Sequence, residues 1–361
     1  MGHDANTEMP ERFGHEQGRD RDRGSGKRGG RKGEQLQVPE AEFRSYYGRP
    51  IIKAPVWKNP DVPLYLFLGG LAATSSGLGA LGGATGRPTL RRTGRLAAAG
   101  GAVGGTVFLI HDLHRPSRFH HMLRVIKPTS PLSVGTWILS PFATFAAATA
   151  AAELGEPVLS GRGARGLARV VRRAGDASGA AAAVIGPALG TYTAVLFSNT
   201  AVPTWHEAHR ILPVVFAGSA AAAGGGMGLV GASVRDNQPA ARLGVAGAVV
   251  ELAAGDYMER SLGLLGDVYH KGRAGTLMKA SKACLAAGAV GTLLGRRKRW
   301  SAALSGLALM AGSALTRFGV FDAGIASAND PAHIVVPQRE RLRQRQATTE
   351  TTRTPPDRTF A

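Results

Sequence analysis

Cysteine is nearly missing: Cys284 stands alone among 361 residues. A single thiol cannot close an internal disulfide, and an iron–sulfur cluster needs about four thiolates. If electrons pass through this chain, a partner must hold the metal centres. Histidine is missing from the middle of every apolar stretch, since His111, His114, His120, His121, His206 and His209 crowd the stretch ends. Haem held by two histidines at matching depth on facing helices is therefore disfavoured. Acidic residues are few beside basic ones, 25 against 44, which leaves a net charge of +19. No basic patch is interleaved with aromatics, so nucleic acid is not an expected partner, and anionic membrane lipid is. The first sixty residues contain no apolar core of a secretory signal, so insertion is expected to begin at the first internal apolar segment.

Long apolar runs fill the rest. The mean hydropathy of −0.04 hides them, because it averages two polar tails with an apolar body. Eight segments of about 20 residues, the length a bilayer core demands, can be drawn: Val62–Gly83, Leu96–Leu113, Leu132–Leu154, Ala177–Phe197, Leu212–Val234, Ala240–Met258, Gly275–Gly295 and Trp300–Phe321. Most lack the polar face that a soluble helix needs. Glycine and alanine dominate them, as in Gly69-Gly70 and Gly224-Gly225-Gly226. Lipid gives helices no hydrophobic reason to associate, so small residues must supply close contact. The ends read as disordered basic tails over 1–44 and 338–361, with a membrane domain over 45–337 between them.

An even number of crossings puts both tails on one side. The opposite loops carry more arginine, including Arg87, Arg91, Arg92 and Arg95 and the run from Arg296 to Arg299. The positive-inside rule makes those loops cytoplasmic and the termini extracytoplasmic, although the basic N-terminal tail pulls the other way.

Chemistry-bearing residues gather on the tail side. The second segment ends in His111-Asp112, and the fourth carries Tyr192 near its end. Beyond it, Asn199, Pro203, Trp205 and His206 mark a broken stretch at the membrane edge. Irregular backbone at that depth is tolerated where it lines a cavity or is buried in protein. An aromatic wall, hydroxyl and amide donors and a titratable pair suit a quinone headgroup, which needs hydrogen bonds to two carbonyls and a proton source for each reduced oxygen. The plainer alternative makes Trp205 and Tyr192 interfacial-belt residues and pairs Asp112 with Arg115 or Arg118. Glu251 sits in mid-segment with Asp256 and Glu259 beyond it. Carboxylates at that depth are either functional or paired, so the readings are a proton relay or a structural pair with Lys279 or Lys282.

Several stretches together resemble the NrfD/PsrC family, the quinone-reactive membrane subunits of polysulfide reductase-type molybdoenzymes. They are Tyr46-Tyr47-Gly48-Arg49-Pro50 with Lys53, Pro55 and Trp57; Pro63-Leu64-Tyr65 through Gly70; and Asp112-Leu113 with Arg115-Pro116 and Arg118-Phe119. Lys127-Pro128, Ser133-Val134-Gly135 with Trp137, Tyr192-Thr193 with Pro203 and Trp205, and Asp330-Pro331 continue the match. The resemblance implies an all-α membrane protein of about eight transmembrane helices packed as two four-helix bundles. It implies electron exchange with menaquinone, an iron–sulfur subunit docked on the motif side around Arg115, Arg118, Arg124 and Lys127, and a molybdopterin catalytic subunit beyond it. It places Tyr192 against the quinone, with Tyr65 as a first-helix contact. The chain departs from the family pattern in its basic N-terminal tail and in Asn59-Pro60-Asp61 before the first helix. A solute transporter using the broken stretch, or a structural anchor without quinone, are the competing readings.

Overall fold

The computed structural model describes residues 51–353 apart from Ala54, with backbone alone over 347–353. The N-terminal tail, the Tyr46–Pro50 motif and residues 354–361 lie outside the described residues. The described chain is helical throughout and contains no strand. Its helices are α1 (Asp61–Ala84), α2 (Pro88–Asp112), α3 (Pro131–Gly161), α4 (Arg165–Ser198), the short α5 (Pro203–Glu207), α6 (Leu212–Gly231), α7 (Gln238–Ser261), α8 (Gly272–Gly295), α9 (Arg299–Asn329) and α10 (Ala332–Arg353). Two 3-10 segments, Pro116–Leu123 and Gly263–Tyr269, cover the α2–α3 and α7–α8 connections.

Consecutive long helices form antiparallel pairs whose seams are built from glycine. A β-carbon on Gly79 would meet the backbone of Gly94 and Arg95, and one on Gly101 would meet Ala72, so α1 and α2 run antiparallel at backbone contact. Gly225 against Gly244, Gly247 against Ala222 and Gly218 against Glu251 set the same arrangement for α6 and α7. Gly175 meets Ala152 between α3 and α4, and Gly288 and Gly312 meet Leu309 and Leu285 between α8 and α9. The turn between α1 and α2 needs its glycine for another reason, since Gly86 holds φ +66° directly before Arg87-Pro88. Helices α1–α4 pack on one another, as do α6–α9, and α1 also packs along α6. That shared seam joins the two groups into one compact unit.

Polar ties lock the end away from Asp61. Arg95 is buried and reaches Glu153 at 3.1 Å and Asp176 at 2.5 Å, while Arg91 meets the other oxygen of Glu153 at 3.1 Å. The triad pins α2 to α3 and α4. Glu153 is thus a buried partner of both arginines.

Among the described residues, seven helices are long and apolar enough to cross a bilayer: α1, α2, α3, α4, α6, α8 and α9. Helix α7 falls short on hydropathy because Arg242, Glu251, Asp256, Glu259 and Arg260 lie on it, yet its 24 residues extend about 36 Å. The stretch expected to be a disordered C-terminal tail is helical as far as Arg353. Its arginines, glutamate and glutamines are good helix formers with no glycine among them, and Arg341 ties it back to Glu207 at 3.0 Å. Polar composition alone does not distinguish such a docked helix from disorder.

If α7 is an eighth crossing, reporters inserted at Arg235 and at His270 fall on opposite membrane faces. Both reporters on one face would show that α7 does not cross.

Candidate functional site

The end of the molecule at which α1 begins and α2 and α4 finish gathers most of the sequence-derived candidates. Lys58, just before α1, donates its backbone N–H to Asp112 Oδ1 at 2.7 Å and its Nζ to the His111 carbonyl at 2.6 Å. His111 Nδ1 lies 2.6 Å from Asp61 Oδ2. The two groups differ sharply in exposure: the His111 side chain is 70% exposed and that of Asp61 only 6%. An imidazole open to solvent therefore touches a carboxylate enclosed at the first turn of α1. Asp112 pairs with neither Arg115 nor Arg118; the Lys58 N–H holds it instead. On the far side of α1, Asn59 Nδ2 donates to Asp322 Oδ1 at 3.1 Å, and Arg273 Nε meets the other Asp322 oxygen at 3.2 Å.

Tyr65 follows Asp61 by four residues, one turn deeper on the same face. It is buried and its hydroxyl has no hydrogen-bond partner among the described residues. Tyr192 is also buried and lies near enough to act electrostatically on Tyr65. Its hydroxyl, however, is already committed to the carbonyl of Pro131, and its ring sits against Gly135, where no larger residue fits. The Tyr192 hydroxyl is thus engaged in joining α4 to α3, and of these two tyrosines Tyr65 is the one with no such tie.

The broken stretch after α4 is filled, not hollow. Trp205 has no exposed surface, and its Nε1 donates to Val320 O at 2.8 Å. It stacks on Phe197 with centroids 4.3 Å apart, and Trp57 stacks on both from outside at 5.3 and 5.5 Å. Gly324 on α9 leaves the space for the indole. Trp205 is therefore a plug between α4 and α9. Asn199 and His206 are exposed. His206 Nδ1 lies 3.0 Å from Ser198 O. It lines a cleft of about 270 Å³ with Glu207, His333, Ile334 and Arg341. No described contact joins either residue to His111 or Asp112.

Sequence reasoning passed over Asp61, the carboxylate that His111 contacts. Its signal was the unusual Asn59-Pro60-Asp61 before the first helix, read only as a departure from a pattern. A nearby cavity of about 210 Å³ lies between α2, α3 and the Pro116–Leu123 segment, lined by Leu109, Ile110, Phe119, Met122, Thr136 and Leu139 among others. It begins at Ile110, next in sequence to His111.

The three carboxylates of α7 have different surroundings. Glu251 is buried, whereas Asp256 is half-exposed and paired with Arg260 at 2.8 Å. Glu259, not Asp256, shares the interior with Glu251. Lys282 contacts Glu259 at 2.7 Å, and the charged residue acting on Glu251 is Arg317 of α9. Among the described residues, no group of three or more acidic, histidine or cysteine side chains is placed to hold a metal.

The family model for NrfD, polysulphide reductase, matches residues 53–247, more than half of the chain. The chain belongs to the NrfD family. As an NrfD protein it is a membrane subunit of the quinone-reactive oxidoreductase complexes. No curated protein matches it. The matched span of this NrfD chain covers α1–α6 and the first part of α7, and so includes Asp61, His111, Asp112 and Trp205. Glu251 and Arg317 lie beyond it.

Replacement of Gly324 by alanine tests the indole plug. The added methyl forces Trp205 from its stack and is expected to cost about 1–3 kcal/mol, read as a lower thermal midpoint with altered tryptophan fluorescence. Unchanged stability and emission would mean that the stack does not secure the α4–α9 junction.

Proposed function

We propose that this chain exchanges electrons and protons between menaquinone and an iron–sulfur subunit of a molybdopterin enzyme, with the headgroup held at the Asp61–His111 end. The observation that carries the reading is the contact between exposed His111 and enclosed Asp61, one turn above a buried tyrosine with a free hydroxyl. The residues fit a quinone headgroup: Tyr65 offers an unpaired donor, Asp61 and His111 a titratable pair, and the adjoining cavity an apolar wall. When bound, menaquinol supplies two electrons and two protons. Tyr65 would orient one ring oxygen. Asp61 would accept a proton from the site and His111 would hand it to water, because its ring stands in solvent. Lys58 fixes His111 and Asp112 through its backbone N–H and its Nζ and so keeps the relay in register. Trp205, Trp57 and Phe197 exclude water from the neighbouring helix ends.

The lone cysteine assigns the metal chemistry to partners. Between α2 and α3 the chain presents Arg115, Arg118, Arg124 and Lys127 in the open, with Phe119, Val125 and Ile126 exposed among them. Apolar side chains ringed by cations suit a permanent protein contact better than water. That surface is the proposed dock of the iron–sulfur subunit. By loop charge this side is assigned outside the cytoplasm.

Two experiments follow. Asp61→Asn and His111→Gln are expected to slow quinol-linked electron transfer by at least about tenfold, the lower range for a lost acid–base group, while the protein still inserts. Tyr65→Phe is expected to weaken turnover, and Asn199→Ala and His206→Gln to leave it intact. Rates of wild type in both Asp61→Asn and His111→Gln would remove the site. Separately, Arg118→Glu with Arg124→Glu is expected to abolish recovery of a cysteine-rich subunit from native membranes; undiminished recovery would place the dock elsewhere.

A further inference from the structure

The second group of helices contains a polar interior that the quinone reading leaves unused. Glu251 lies near the middle of α7 and is 3% exposed, and Arg317 on α9 is 1% exposed. The two interact electrostatically but do not pair. Arg317 Nη2 donates to Phe216 O at 2.9 Å, and its Cζ stands 3.6 Å from the centroid of the Phe216 ring. Nε and Nη1 of Arg317 and both carboxylate oxygens of Glu251 have no hydrogen-bond partner within the described protein. Leaving two buried charges half-satisfied costs several kcal/mol. Two unpartnered donors and two unpartnered acceptors on interacting side chains meet the needs of internal water, which takes about two to four polar partners.

Hydroxyls continue from this pair. Thr316 and Ser219 flank Glu251. Thr316 Oγ1 lies 2.6 Å from Ser281 Oγ, and Ser219 Oγ lies 2.7 Å from Ser313 Oγ. All four side chains are buried. Next to Ser281 on α8, Lys282 meets Glu259, whose Oε2 also lies 3.5 Å from His270. Glu259 is eight residues, about 12 Å, along α7 from Glu251. Its Oε1 is unpartnered, as is the buried Tyr269 hydroxyl beside it. Burial, and then the Glu259 charge, push the Tyr269 hydroxyl up, so it remains a neutral donor. The His270 side chain is 56% exposed and opens the series to the surface. Toward the other surface the path closes. There α6 and α7 touch backbone to backbone at Gly225 and Gly244, and Leu229, Ala241, Ala248, Leu285 and Leu309 fill the space around them.

We infer that Glu251 is a mid-membrane proton acceptor with access from one surface only, reached through His270, Glu259, Ser281 and Thr316 with intervening water. A proton from bulk water passes to the Glu259–His270 pair and along the hydroxyls, and neutralises the Glu251 carboxylate; only O–H and N–H bonds change. Arg317 is the charged group that acts on Glu251. Lys282 from α8 and Tyr269 and His270 from the α7–α8 connection face Glu259. Arg317 positions the acceptor and also touches α1, since a β-carbon on Gly70 would lie 3.4 Å from its Nη2. The inference stands independently of quinone binding.

Infrared difference spectra of the full chain in lipid nanodiscs, taken across pH without quinone, test it. A titrating carboxylic-acid carbonyl band is expected that disappears in Glu251→Gln and shifts in heavy water. Its deuterium exchange is expected to slow by about tenfold, the equivalent of one net hydrogen bond, in Glu259→Gln and in the volume-conserving Thr316→Val. Thr316→Val leaves both charges in place and so gives a reading even if Glu251→Gln does not accumulate. A band retained in Glu251→Gln, no titrating band in the wild type, or wild-type exchange in both other variants would overturn the inference.

Discussion

Backbone contact at glycine is the constraint on which the rest of this molecule depends. Lipid offers helices no gain from burying apolar area, so association must come from van der Waals contact and polar ties. Each long pair meets where a β-carbon has no room, as at Gly94 on Gly79 and Gly244 on Gly225. These contacts fix antiparallel register to within a residue, and register decides which polar groups face one another. His111 opposes Asp61 because Gly79 has settled on Gly94, about five turns away along the same pair.

Polar side chains then occupy the places that close contact leaves open. At the end away from the candidate site, Arg95 satisfies Glu153 and Asp176 together and acts as a clasp. At the other end, Asp61, His111, Asp112 and Lys58 form a graded series from enclosed to exposed. In the middle, Glu251 and Arg317 are held near one another without contact. The clasp pairs both its carboxylates with arginine and suits structure; the Glu251–Arg317 set keeps unpaired donors and acceptors, which is what proton movement requires.

Membership of the NrfD family and the scarcity of cysteine point the same way. In the proposed function such a chain would handle quinone-side chemistry within the membrane and leave metal-based electron transfer to neighbours. The exposed basic and apolar face between α2 and α3 lies on the same end as His111, so a docked partner would stand close to the proposed headgroup site. Trp205 fills the break after α4, a role for which neither an interfacial belt nor a cavity wall is a good description.

The sequence by itself determined the membrane class, most of the helical segments and the family, and it motivated the proposal of metal-bearing partners. Those follow from local quantities: apolar run length, small-residue content, cysteine count and ordered motifs. It also made His111, Asp112 and Glu251 legible, because charge near or inside an apolar run is costly wherever the helix packs. Only the tertiary structure decided the partners. Asp61 sits fifty residues before His111, and Arg317 sixty-six after Glu251, separations at which no helical periodicity relates two side chains. Tyr192 and Trp205 were chosen by residue type, yet the fold commits the hydroxyl to Pro131 and the indole to Val320. Asp256 and Glu259, three residues apart, were separated by helix rotation into an outward ion pair and an inward one. The C-terminal helix escaped notice because a polar helix held by Arg341 and Glu207 has the composition of a disordered tail. Which donor meets which acceptor is a property of register and rotation between helices, and those are set by contacts that no single segment contains.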